Sequence, residues 1–356
     1  MPKAYLVLAD GTVYEGEGFG ASGEALGELV FTTGMEGYLE TLTDPSYAGQ
    51  IIMQTFPLIG NYGVIEADFE GACHARGYVV RECCDTPSNF RSQGALDAYL
   101  KAQGVPGICG LDTRAITRRI RERGVINAMI CSEIPENLKL LQEYSVRGVV
   151  AAASCKHADV YPSAGETKYR VALIDYGAKR NIVRELQKRG CEVTLLPSSV
   201  SAQKILTMHP DGLMLSNGPG DPEENTYCIA QIAALLGKLP IFGICLGHQM
   251  TALAAGGRTE KMKYGHRGAN QPVKDAEGER CYITSQNHGY AVVSDSVRAG
   301  KIRYINANDG SCEGIDYPEL NAFTVQFHPE ASAGPHDTAF LFDRFISMMG
   351  GEMQCR

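Results

Sequence analysis

Pro240-Ile241-Phe242-Gly243-Ile244-Cys245-Leu246-Gly247-His248-Gln249-Met250-Thr251-Ala252-Leu253 joins a short apolar run to a helix-forming stretch through a cysteine set between glycines. Residues 240–244 are apolar without alternation, as in a strand buried on both faces. Gly243 and Gly247 around Cys245 give the nucleophile-elbow pattern Gly-x-nucleophile-x-Gly, with Cys where hydrolases carry Ser. The glycines permit a sharp strand-to-helix turn, expected to leave the Cys245 side chain exposed and strained. The helix N-terminus behind it favours the thiolate, which is the reactive form. Most cysteines in such a chain are small buried apolar residues; the elbow singles this one out.

Working outward, the second half alternates apolar strands with helices. Strands are expected over 169–175, 191–196, 212–215 and 240–244, and helices over 179–189 and about 227–236. Unbroken apolar strands between helices imply a mostly parallel sheet covered by helices, an α/β domain over 169–356. In such sheets, sites lie at the carboxyl ends of strands. The first half reads differently. Asp10-Gly11 between apolar runs is a hairpin signal. Further strands are expected over 29–32, 50–55 and 77–81, and helices over 94–103 and 113–123. That is an α+β domain over 1–146. Between them, 147–168 shows no sustained period and reads as a linker.

Two more strand ends carry chemistry. The strand over 322–327 runs into His328-Pro329-Glu330. Residues two apart in extended chain share a side, and Pro329 biases His328 toward extended geometry. A histidine can take a thiol proton and return it to a leaving amine, while a carboxylate behind it fixes its tautomer. Leu215-Ser216-Asn217-Gly218-Pro219-Gly220-Asp221-Pro222 leaves a strand as a loop whose N–H groups could donate to an oxyanion, together with that of Leu246. His248 is expected to shape the elbow, and His288 to be a structural residue in a loop.

These motifs, in this order, resemble the triad-type class I glutamine amidotransferases over roughly residue 169 to the C-terminus. The resemblance implies Cys245 as nucleophile, His328 as general base and acid, and Glu330 as its orienting partner. It places Gly218 and Leu246 at the oxyanion hole, and Gly220, Gln249, Asn287, Gly289 and Tyr290 at the glutamine site. Tyr290 stands where Phe is usual in that family. The first half, with Phe31-Thr32-Thr33-Gly34-Met35, Leu42-Thr43-Asp44-Pro45-Ser46-Tyr47-Ala48-Gly49-Gln50 and Gly110-Leu111-Asp112-Thr113-Arg114, is similar to the small subunit of carbamoyl-phosphate synthetase. That resemblance implies Ser46 at the glutamine site. It also implies a large synthetase subunit as partner, which binds ATP, its metal ions and bicarbonate and receives ammonia through an internal channel.

Composition agrees. A net charge of -8 is wrong for a nucleic-acid surface, which needs clustered Lys and Arg. The basic stretch 114–123, with Ile116 and Ile120 spaced along it, reads as the wet side of an amphipathic helix. No run approaches a membrane span and no export signal is evident, so the cysteines are expected reduced in the cytoplasm. None falls in C-x-x-C spacing, so no metal site is expected. Gly18-Phe19-Gly20-Ala21-Ser22-Gly23 fits a dinucleotide fingerprint but precedes a strand instead of a helix, and Gly237-Lys238-Leu239 is not a Walker A end. No cofactor is expected on this chain.

Overall fold

The computed structural model describes residues 2–350; Met1 and residues 351–356, the expected end of the second domain, lie outside the described residues. Backbone packing divides the chain into Met1–Arg147 and Gly148–Arg356.

In the first unit the strands close into a barrel. Its order is Lys3–Leu8, Val13–Gly20, Pro106–Cys109, Gly77–Val79, Gln50–Gln54, Ala25–Thr32 and Ile126–Cys131, which pairs back onto Lys3–Leu8. The expected hairpin forms, with Val7 opposite Val13 and Gly11 in the left-handed region at φ 86°. Residues 18–23 end strand Val13–Gly20 and lead into strand Ala25–Thr32, without a helix between them. Helix Thr113–Arg123 buries Ile116 and Ile120, and its N-terminus is capped by the Asp112 side chain, which accepts from Ala115 N–H at 3.0 Å.

The second unit is built on a 10-stranded sheet. Cys191–Pro197, Tyr169–Asp175, Gly212–Leu215, Ile241–Ile244 and Ala322–Val325 are parallel neighbours in that order. Along each strand, alternate residues serve opposite cores. Ala172, Ile174, Leu213, Leu215 and Ile241 pack with Ile205, Ile232, Leu246 and Met250 on one face. Val171, Leu173, Met214, Phe242 and Ile244 pack with Ile182, Leu186, Leu341 and Phe345 on the other. Burial on both faces explains why the central strands Gly212–Leu215 and Ile241–Ile244 show no polar alternation. Phe242 stacks on Phe323 with ring centroids 4.3 Å apart, and burial of each ring contributes about 1.5–3 kcal/mol.

The expectation of a mostly parallel sheet needs correction. Beyond Ala322–Val325 the sheet continues antiparallel through Cys312–Tyr317, Cys281–Val292, Thr259–Asp275 and Lys301–Asn306. It is therefore mixed, because hairpin-linked strands need no crossover helix to pair. The expected linker is also structured. It holds helix Val149–Ala153 and strand Asp159–Tyr161, an exposed antiparallel edge beside Cys191–Pro197. A strand exposed on both faces carries no burial period to read in sequence.

Candidate active site

At the elbow, Cys245 has φ 53° and ψ -103° and serves as N-cap of helix Leu246–Ala254. A β-substituted residue at positive φ is strained, and such strain gathers at functional sites. The flanking glycines are required by close approach. A Cβ on Gly247 would sit 2.5 Å from the Leu215 carbonyl oxygen, and one on Gly243 2.9 Å from Thr324 Cγ2. Removing either side chain lets helix and strand touch. The expectation of an exposed thiol is corrected: Cys245 is 2% exposed. Its Sγ lies 3.6 Å from the Asn287 carbonyl and 3.6 Å from Gln326 Nε2. Walls from neighbouring strands cover the elbow, which an isolated motif does not reveal.

Next to it, His328 Nδ1 and Glu330 Oε1 are 2.6 Å apart, and both residues are about 1% exposed. His328 Nε2 makes no well-formed hydrogen bond, which leaves it as the nitrogen free for proton transfer. Burial and Lys179 push the His328 pKa down, but Glu330 and Cys245 outweigh them and raise it to about 9. Burial would raise the Glu330 carboxyl; His328 and Lys179 overcome it and hold the group below its ordinary value. Glu330 thus favours the imidazolium that forms when His328 takes a proton. Lys179 was missed by sequence reasoning. It is 7% exposed, with Nζ 3.5 Å from Glu330 Oε1. It stands at the N-cap of helix Arg180–Lys188, where its N–H donates to Asn217 Oδ1 at 3.0 Å. The Asn181 side-chain amide donates to the Glu330 carbonyl. A lysine at a helix start gives no hint in sequence of a partner 151 positions away.

Gly218 reaches the elbow from the neighbouring strand end: a Cβ there would lie 2.8 Å from Leu246 Cδ2 and 2.5 Å from the Tyr176 carbonyl. Leu246 is the first residue of its helix, so its N–H has no intrahelical acceptor. Gly220 is left-handed at φ 86°. Gln249 Nε2 donates to the Tyr290 carbonyl at 2.7 Å and to Gln326 Oε1 at 3.0 Å. Gln326, also missed, thereby links Gln249 to the Cys245 sulfur. Asn287, Gly289 and Tyr290 lie in strand Cys281–Val292, and so does His288, contrary to the loop expected for it. Pairing of His266 with His288 across the hairpin fixes that stretch as extended. His248 is fully buried, with Nδ1 2.8 Å from Thr324 Oγ1. Burial lowers its pKa to about 3, so it is neutral and ties helix to strand, in keeping with an elbow-shaping role. Ser46 lies in the first unit, in the turn Pro45–Tyr47, where its N–H donates to Asp44 Oδ1 at 2.9 Å. His266, His288 and Glu313 offer ligand atoms within 4.8 Å of one another, but hydrogen-bond partners already face those atoms.

Comparison with known proteins identifies the family of both halves of the chain. The family model described as glutamine amidotransferase class-I matches residues 172–348, and that for the carbamoyl-phosphate synthase small chain, CPSase domain, matches residues 6–130. The pyrimidine-specific small chain of carbamoyl phosphate synthase from Bacillus subtilis is 50% identical over 352 residues, covering 98% of this chain and 96% of its own. The carbamoyl phosphate synthase small chain of Listeria monocytogenes serotype 4b is 50% identical over 357 residues, covering 99% and 98%. Among solved structures, a glutamine amidotransferase from Thermotoga maritima matches with TM-score 0.39 at 17% identity, over 52% of this chain and 86% of that one. With a nucleophile elbow, a His–Glu dyad and likeness along nearly its whole length, the chain belongs to the carbamoyl phosphate synthase small chain family.

Proposed function

We infer that this chain hydrolyses glutamine and hands the ammonia to a large carbamoyl-phosphate synthetase subunit. The observation that carries the reading is the strained Cys245 elbow beside the 2.6 Å His328–Glu330 pair. Cys245 Sγ attacks the side-chain amide carbon of glutamine, and its proton passes to His328 Nε2. The oxyanion gathers on the N–H groups of Leu246 and Gly218. His328 then protonates the departing ammonia, leaving a γ-glutamyl thioester that water hydrolyses to glutamate. Glu330 holds His328 Nδ1–H and stabilises the imidazolium; Lys179 keeps Glu330 ionised. Gln249, Asn287, Gly289, Tyr290 and Gly220 hold glutamine.

Formation of carbamoyl phosphate consumes ATP. That step is assigned to the large subunit, in a heterodimer or larger assembly, and no cofactor is assigned to this chain. Among the described residues, no helix is long and apolar enough to cross a membrane, and the cysteines are free. Both suit the cytoplasm, where we place it. The test is glutaminase activity of the purified chain, alone and with a large subunit, ATP and bicarbonate. Stimulation with formation of carbamoyl phosphate is expected. High activity indifferent to the partner would point instead to a free-standing hydrolase.

A further inference from the structure

Behind the Gln249 contact lies a buried polar chain that the mechanism does not use. Gln286, His288 and Tyr290 alternate along strand Cys281–Val292 and share one face. The Tyr290 carbonyl accepts from Gln249 and faces His288 Nδ1 at 2.9 Å. One end of the Gln286 amide is 3.1 Å from His288 Nε2, and the other is 3.0 Å from Glu313 Oε2. Glu313 is fully buried, and its Oε1 accepts from Asn306 Nδ2 at 3.2 Å. The charged or titratable groups around the chain are His266, 3.4 Å from Glu313, its partner Asp309 at 2.8 Å, Arg267 and His328.

A carbonyl cannot donate, so His288 Nδ1 carries hydrogen toward Tyr290. The Gln286 amide nitrogen donates to Glu313 Oε2 at 3.0 Å and to Thr284 Oγ1 at 3.1 Å, and its oxygen faces His288 Nε2. Thr284 in turn donates to the Gln271 carbonyl at 2.9 Å, so the Gln286 amide is held at both ends.

We propose that Glu313 is a positioning residue that acts through Gln286 and His288 to fix the Tyr290 carbonyl and hence Gln249 in the glutamine pocket. This rests on the reading of Gln249 as a glutamine-binding residue. Loss of the chain loosens the pocket wall and leaves Cys245 and His328 in place, so it moves KM more than kcat.

The test uses the complex with the large subunit, measuring glutamine-dependent and ammonia-dependent carbamoyl phosphate synthesis. Glu313→Ala is expected to raise KM for glutamine about tenfold with kcat within about twofold. Glu313→Gln, which keeps a side-chain oxygen to accept from Gln286, stays within about threefold of the parent KM. Gln286→Met matches Glu313→Ala and adds nothing to it in combination; it carries the same test should Glu313→Ala not fold. Ammonia-dependent synthesis remains intact throughout. An unchanged KM in Gln286→Met overturns the positioning role, and Glu313→Gln as damaging as Glu313→Ala overturns the claim that Glu313 acts by accepting from Gln286. A parent complex unable to use glutamine would instead contradict the proposed function.

Discussion

In the proposed mechanism, His328 serves as base and acid because its two nitrogens face different groups. Nδ1 meets Glu330 and Nε2 is left for the thiol and the leaving amine. Glu330→Gln removes the charge that supports the imidazolium, a charge-assisted bond worth roughly 2 kcal/mol, so kcat/KM for glutamine should fall roughly thirtyfold. Because Glu330 raises the His328 pKa, its removal should also move the pH dependence governed by His328 to lower pH; a pH–rate profile checks both. Lys179→Met acts through the other partner. Lys179 lowers the Glu330 pKa, so the acidic limb of the profile should shift upward, with a loss of roughly three- to tenfold at low pH that shrinks as pH rises. An unshifted limb would deny Lys179 its role. Cys245, His328 and Glu330 were legible in the sequence because strand ends and local spacing mark them. Lys179 and Gln326 were not, since each is defined by a neighbour far along the chain.

The elbow depends on a helix lying against its own sheet at backbone distance. Gly247→Ala places a methyl 2.5 Å from the Leu215 carbonyl, and that backbone cannot yield without moving the strand. Overpacking of this kind costs about 1–3 kcal/mol, and the displaced helix start should abolish glutaminase turnover. Urea denaturation and initial rates measure the two effects; wild-type values for both would contradict the close-contact account. At this scale, apolar strands between helices were readable because two-sided burial leaves an unbroken apolar run. The hairpin strands Thr259–Asp275 and Cys281–Val292 alternate buried with exposed residues irregularly, and register shifts interrupt their pairing. Strand Asp159–Tyr161 is exposed throughout. Neither leaves a pattern for sequence to show. The stretch around His288 accordingly reads as a loop in sequence although it lies in a strand.

At the scale of the whole molecule, the buried dyad links folding to pH. His328 has a raised pKa, so its contribution is complete below its ordinary value of 6.5 and fades as pH rises through about 9. Glu330 has a lowered pKa, so its contribution is complete above 4.5 and fades as pH falls through its folded value. The stability difference between the parent chain and Glu330→Gln should therefore be larger near pH 6 than above pH 9, as read by denaturant titration at both. The coupling of glutamine hydrolysis to synthesis elsewhere tests the account most directly. In a complex of Cys245→Ser with the large subunit, glutamine-dependent carbamoyl phosphate synthesis should be lost while ammonia-dependent synthesis survives. Continued use of glutamine by that variant would show that Cys245 is not the nucleophile and contradict the account.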